Sequence, residues 1–109
     1  MPGSTTIPRG NILYQKLITV TLAPAVVATI TTAEQAFVVQ GVQLGDQVRV
    51  QFSGAQVAGV AVVSARVTGA NTVAVTFMNP TAGGVTPATG GYNIYWQRPE
   101  YIPLDNNVV

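Results

Sequence analysis

Apolar and polar residues alternate along the middle of the chain, over residues 37–78. In residues 47–52, for example, Val48, Val50 and Phe52 alternate with polar neighbours. A period of two is the spacing of a β-strand, whose successive side chains point to opposite faces of the sheet. The pattern therefore predicts strands that are buried on one face. The six predicted strands are residues 16–22, 33–40, 47–52, 60–68, 72–78 and 92–98.

Turn residues separate these strands. Gly45-Asp46 precedes the third strand, and Gly69-Ala70-Asn71 joins the fourth to the fifth, which we predict to form a hairpin. The loops are residues 25–32, where a strand is the alternative, and the Gly- and Pro-rich residues 79–91.

Two strands carry specific expectations about burial. In the fourth strand, Ala61 and Val63 belong to the set predicted to face inward, and the opposite Val60 and Val62 predict a first half that is covered on both faces. In the last strand we expect Trp96 in the core, because large aromatic residues in strands bury most of their area.

The two ends of the chain differ from this centre. Residues 1–14 contain two prolines and two glycines, and residues 99–109 contain two prolines, which favours extended arms over helices. The N-terminal arm either lies along a neighbouring subunit or folds back on its own domain, and the C-terminal arm has the character of a domain-swapped or subunit-clasping strand. The candidate interface residues on the arms are Ile7, Ile12, Leu13, Tyr14, Tyr101, Ile102 and Leu104.

The predicted fold class is therefore all-β. We expect a single small β-sandwich at residues 15–98, with antiparallel strands in Greek-key or jelly-roll-like order, between an N-terminal arm at residues 1–14 and a C-terminal arm at residues 99–109.

The amino-acid composition favours association of the protein with other subunits. Only 8% of the residues are charged, against about 25% in ordinary soluble domains, and the net charge is +1. With so few charges, electrostatic repulsion between copies of the protein is weak. Edge strands without charged residues also pair readily with a strand of another copy. The alternative is a polar, uncharged monomer.

Candidate chemistry is sparse. The chain has neither Cys nor His, so no thiolate or imidazole site is expected, and its one lysine has no motif that would make it a base for a serine. We interpret Asp46 as a turn residue and Glu34 as solvated or ion-paired rather than catalytic. The expectation is a protein that is not an enzyme and has no cofactor or metal. We also expect no nucleic-acid partner, since the cations are dispersed, and no membrane partner.

Three segments together resemble small structural proteins of tailed bacteriophages and prophages. They are TTAEQ-x-F-x-V-x-G at residues 31–41, LGDQVRV at residues 44–50 and SARVTGANTVAVTFMNPTAGGVTPATGGY at residues 64–92. The resemblance covers roughly residues 16–95 and excludes both arms.

The resemblance implies a virion component, made in the bacterial host cytoplasm and placed on the capsid surface. The expected role is a decoration or cement protein, or the base of a head fibre, which binds the major capsid protein as a homo-oligomer, a trimer in our interpretation. Two alternatives stay open. One is a tail or fibre component, and the other is a carbohydrate-binding module that uses Tyr92, Tyr95 and Trp96.

Overall fold

The computed structural model describes residues 12–99 of the chain. These residues form six β-strands and no helix, which confirms the all-β prediction. The strands are β1 (Ile12–Leu22), β2 (Thr31–Val38), β3 (Gln47–Phe52), β4 (Ala61–Gly69), β5 (Thr72–Asn79) and β6 (Gly90–Pro99).

The strands make two three-stranded antiparallel sheets that pack together as a small β-sandwich. The order is β1-β6-β3 in the first sheet and β2-β5-β4 in the second. The chain therefore passes from one sheet to the other at every connection except the β4–β5 hairpin. The last strand, β6, is the central strand of the first sheet.

The core lies between the sheets and contains the apolar set of each strand. Its central buried side chains are Tyr92, Ile94 and Trp96 of β6 and Val73, Val75 and Phe77 of β5. These residues are the inward sets that the period of two predicts for both strands. Trp96 is only 4% exposed, so its predicted place in the core is confirmed.

The predicted turn between β4 and β5 is also confirmed. Asn71 has a positive φ of 56°, which a tight turn requires and Asn tolerates. Its N–H donates to the carbonyl of Val42 at 2.8 Å, and its carbonyl accepts from the N–H of Val39 at 2.9 Å. Its side-chain Oδ1 accepts from the N–H of Gly41 at 2.7 Å. One turn residue thus ties the hairpin to the connection between β2 and β3.

The predicted faces of β4 are wrong in its first half. The pairing register with β5 shifts between Val62 and Ser64, the signature of a β-bulge. The shift turns Val62 inward, leaves Ala61 exposed and leaves Val63 55% exposed. The first half of β4 is therefore covered on one face only. Beyond the bulge, Ala65 faces the core as predicted.

The first strand is longer than predicted. It begins at Ile12 rather than at residue 16 and pairs with β6 from Ile12 opposite Pro99 to Leu22 opposite Gly90, with a shift of register between Ile12 and Tyr14. Three of the candidate arm residues, Ile12, Leu13 and Tyr14, consequently lie in β1.

A buried amide organises the long connection between β5 and β6. Asn79 is fully buried. Its Nδ2 donates to the carbonyls of Val27 and Gly83 at 3.0 and 2.9 Å. Its Oδ1 accepts from the N–H and the hydroxyl of Thr81 at 2.9 and 2.6 Å. A two-way backbone bridge between Val27 and Val85 completes the attachment. The predicted loop is therefore pinned to the residues 25–30 connection.

Candidate functional site where the chain enters and leaves

The chain enters and leaves the sandwich at the same end. Ile12, the first described residue, lies opposite Pro99, the last one, in the β1–β6 ladder. Two large apolar side chains beside this pair face solvent, Leu13 at 52% and Leu44 at 69% exposure. We call Leu13, Leu44 and Pro99 the terminal patch. A depression of about 380 Å³ lies at this end, lined by Leu13, Gln43, Leu44, Gly45, Asp46, Arg98 and Pro99.

A tight turn presents Leu44 at the tip of this end. The N–H of Asp46 donates to the carbonyl of Gln43 at 3.0 Å, and the Asp46 carboxylate accepts from the N–H of Gln43 at 3.0 Å. Gly45 has a φ of +95°, a conformation that L side chains rarely adopt. The Gly45-Asp46 turn predicted from the sequence is therefore present, and its geometry leaves Leu44 outside the core.

Asp46 is the polar centre of the end. Although it follows a surface turn, it is 7% exposed. Its Oδ2 accepts from Trp96 Nε1 at 2.8 Å and from Arg98 Nη2 at 2.8 Å, and its Oδ1 accepts from Arg98 Nε at 3.0 Å. Arg98 Nη2 also donates to the carbonyl of Gly41 at 2.9 Å. The carboxylate thus joins β6 to the connection between β2 and β3.

The charge state of Asp46 follows from these contacts. Burial alone raises the pKa of a carboxyl, but hydrogen bonds from Arg98, the Gln43 N–H and Trp96, together with the charge of Arg98, outweigh burial and lower the pKa of Asp46 below its usual value. Asp46 is therefore ionised at neutral pH and bound to its partners, which makes it a structural anchor.

Aromatic rings and cations cover the other side of Trp96. Tyr14 meets Trp96 edge-on, with ring centroids 5.8 Å apart. The Lys16 ammonium lies 5.1 Å from the centroids of both rings, and the Arg98 guanidinium lies 5.0 Å from that of Tyr14. Gly41 closes the cluster, since a Cβ built on it would lie 2.8 Å from the Trp96 ring. The terminal patch therefore rests on a rigid base.

The structure separates the predicted interface residues into three groups. Leu13 is exposed on the terminal patch, whereas Tyr14 is half-buried against Trp96 and belongs to the base. Ile12 is half-buried in β1. Four candidates, Ile7, Tyr101, Ile102 and Leu104, lie outside the described residues. Leu44 is not among the predicted interface residues, although an apolar residue immediately before a Gly-Asp turn has no strand position from which to reach the core.

The two carboxylates between residues 12 and 99 both have cationic partners. Asp46 binds Arg98, and Glu34 on β2 binds Arg66 on β4 through two hydrogen bonds of 2.7 and 2.9 Å. This pair agrees with the interpretation of Glu34 as ion-paired. Within the same residues, no three acidic, His or Cys side chains come together as a metal site. No helix there is long and apolar enough to span a membrane.

The aromatic residues considered for carbohydrate binding fall on opposite faces of β6. Tyr92 and Trp96 are buried in the core, whereas Tyr95 points away from it and is 50% exposed. Only Tyr95 of the three is therefore available to a ligand.

Comparisons of the chain with known protein families, curated proteins and solved structures found no match.

Proposed function

We propose that the protein is a non-enzymatic structural component of a phage virion, a decoration or cement protein that binds the major capsid protein on the outer capsid surface. Its main support is that Ile12 and Pro99, the two ends of the described domain, pair with each other beside the terminal patch. The resemblance of roughly residues 16–95 to small structural proteins of tailed phages supports a virion as the particle.

The physical mechanism is burial of apolar surface at one end of the domain. Leu13 and Leu44 expose area that contributes about 25 cal/mol per Å² when a partner covers it. The turn that carries Leu44 is already held by the hydrogen bonds between Gln43 and Asp46, so little backbone entropy is lost there on binding. Each bound copy would bridge neighbouring capsid subunits, and many copies would strengthen the shell additively.

We expect capsid binding to depend on residues 2–11 and on the terminal patch. Deleting residues 2–11 preserves the whole of β1, whereas a deletion through Tyr14 also removes a ring that packs on Trp96. The shorter deletion should leave the melting temperature nearly unchanged and should weaken co-sedimentation with capsids at least 10-fold. Unchanged co-sedimentation would contradict the role of the N-terminal arm.

Two point variants test whether capsid binding depends on the terminal patch or on any exposed leucine of β1. Leu13→Gln is expected to weaken capsid binding, while Leu17→Gln, on the same strand and 57% exposed, should not. Equal effects of both variants would contradict the terminal patch as the contact. Recovery of the protein with isolated tails and not with heads would favour the tail or fibre alternative.

We also propose that the protein is a homotrimer in solution. Both sheets are open, and β2 is an edge strand whose single charged residue, Glu34, is already held by Arg66. The backbone N–H and C=O groups of such an edge can pair with a strand of another copy, because no unpaired charge on β2 opposes it. Light scattering should give three times the 11.3 kDa chain mass. The chain mass itself would refute the trimer.

A further inference from the structure

The outer face of the first sheet forms a regular grid of side chains. Three rows cross β1, β6 and β3 in direct register. We call these nine residues the amide face. Its rows are Gln15, Gln97 and Gln47; Leu17, Tyr95 and Arg49; and Thr19, Asn93 and Gln51. With strands about 4.8 Å apart and about 6.7 Å between alternate residues, the grid measures roughly 10 by 13 Å.

Tyr95 lies at the centre of the amide face. Its side chain is 50% exposed, and the Arg49 guanidinium carbon lies 5.9 Å from its ring centroid. Leu17 stands on the opposite side of Tyr95. Shallow depressions of about 430 and 280 Å³ lie on the two sides of Tyr95, toward β3 and toward β1. Half of Tyr95 is thus open to solvent, and the depression toward β1 borders the side of Tyr95 away from Arg49.

Hydrogen bonds between side chains of the amide face already hold some of the polar groups around Tyr95 in place. Gln97 Nε2 donates to Gln15 Oε1 at 3.0 Å, and the Thr19 hydroxyl donates to Asn93 Oδ1 at 2.9 Å. Each amide carries two donor hydrogens and an acceptor oxygen, so these pairs leave further donors and acceptors toward solvent. The amide face contains no carboxylate, and Arg49 is its one cation.

We infer that the amide face binds a polysaccharide chain, with a sugar ring stacked on Tyr95. The C–H groups on one face of a sugar ring carry slight positive charge and suit the negative face of an aromatic ring. Its hydroxyl groups both donate and accept, as the surrounding amides do. Arg49 would add affinity for a sugar that carries a carboxylate or phosphate.

Other occupants fit this face less well. A stable protein interface has about 20 to 30 residues a side, whereas the amide face has nine, of which only Leu17 and Tyr95 are apolar. Nucleic acids require several cations that track the phosphates, whereas the face has one. None of the nine residues of the amide face belongs to the terminal patch. The polysaccharide site therefore does not depend on the capsid role.

Affinity electrophoresis of the full chain tests this inference. Native gels contain dextran, hydroxyethyl cellulose, xylan or alginate, and migration is compared with that in gels without polysaccharide. We expect at least one polysaccharide to retard the protein, and Tyr95→Ala to weaken that retardation at least 10-fold. Val38→Ala, at an exposed position on the other sheet, should be retarded like the wild type. If alginate is the ligand, Arg49→Gln should also weaken binding.

Three results would overturn the inference. They are migration unaffected by all four polysaccharides, retardation of Tyr95→Ala equal to that of the wild type, and a change of oligomeric mass in Tyr95→Ala, which would make the face a contact between copies. Gln97→Ala provides a second variant if Tyr95→Ala lowers the melting temperature. Undiminished binding by this variant would count equally against the amide face.

Discussion

Replacing Asp46 with alanine is expected to lower the free energy of unfolding by about 3 to 5 kcal/mol, the usual cost of removing one partner of a buried ion pair. The loss leaves the Trp96 N–H and the Arg98 guanidinium without their acceptor. Arg98 cannot turn fully to water, because its side chain is 20% exposed and remains bound to the Gly41 carbonyl. For a domain of this size the melting temperature should fall by roughly 15 °C. Thermal and urea unfolding measure both quantities.

The pH dependence of the free energy of unfolding shows whether the ionised carboxylate of Asp46 is the source of this stability. The folded-state pKa of Asp46 is lowered, so its stabilisation is fully present above the unfolded pKa of about 3.9 and is lost as the pH falls toward the folded value. The stability difference between wild type and Asp46→Ala should therefore be constant from pH 7 to about pH 5 and narrow below about pH 4.

Glu34→Ala is the matched control for Asp46→Ala. It also removes a carboxylate bound to an arginine, but that pair is exposed to solvent, where ion pairs contribute little. A loss of stability as large as that of Asp46→Ala would contradict the distinction between the two pairs. A constant difference between wild type and Asp46→Ala down to pH 2 would contradict the ionised anchor.

Replacing Asn79 with alanine is expected to cost about 2 to 4 kcal/mol, because the Thr81 N–H left without a partner costs about 1 to 3 kcal/mol and the lost bonds to two carbonyls, which each keep another donor, cost about 1 kcal/mol more. The carbonyls of Val27 and Gly83 would lose their shared donor, and the Thr81 N–H would lose its acceptor. The connection before β6 should then open before the sheets do. Hydrogen exchange should show this as faster exchange of the Val27 and Val85 amides.

Asn93→Ala provides the control for Asn79→Ala. It removes the same amide from a position on the outer face of the sheet, where water can replace the bond to Thr19. Its effect should stay below about 1 kcal/mol. If both variants lost the same stability, the burial of Asn79 would not be the reason for its importance.

The strands were predictable because a half-buried sheet imposes its period of two on the sequence. In β6 the alternation places Ile94 and Trp96 on one face and Tyr95 on the other, as the structure does. The bulge in β4 was not predictable in this way. Val62 and Val63 are both apolar, so either of them can face the core, and only the pairing with β5 decides between them.

The contacts of Asp46 show a second limit of prediction from the sequence. The Gly-Asp turn is a local signal, and the sequence indicated it correctly. The partners Trp96 and Arg98 are 50 and 52 positions away along the chain. They reach Asp46 because β3 pairs with β6, with Gln47 opposite Gln97. Strand order is a property of the whole fold, so a local pattern carries no information about it.

Because β6 is the central strand of the first sheet, its position in the chain determines which sheet can form first during synthesis. The second sheet is complete in sequence once residue 79 has left the ribosome, whereas β1 and β3 have no partner in their sheet until residues 90–99 follow. The β1–β6 contacts close loops of up to 87 residues, which slows folding because the entropy of closure comes first. The first sheet therefore forms only after β6 has left the ribosome, and the paired end at Ile12 and Pro99 forms in the same step.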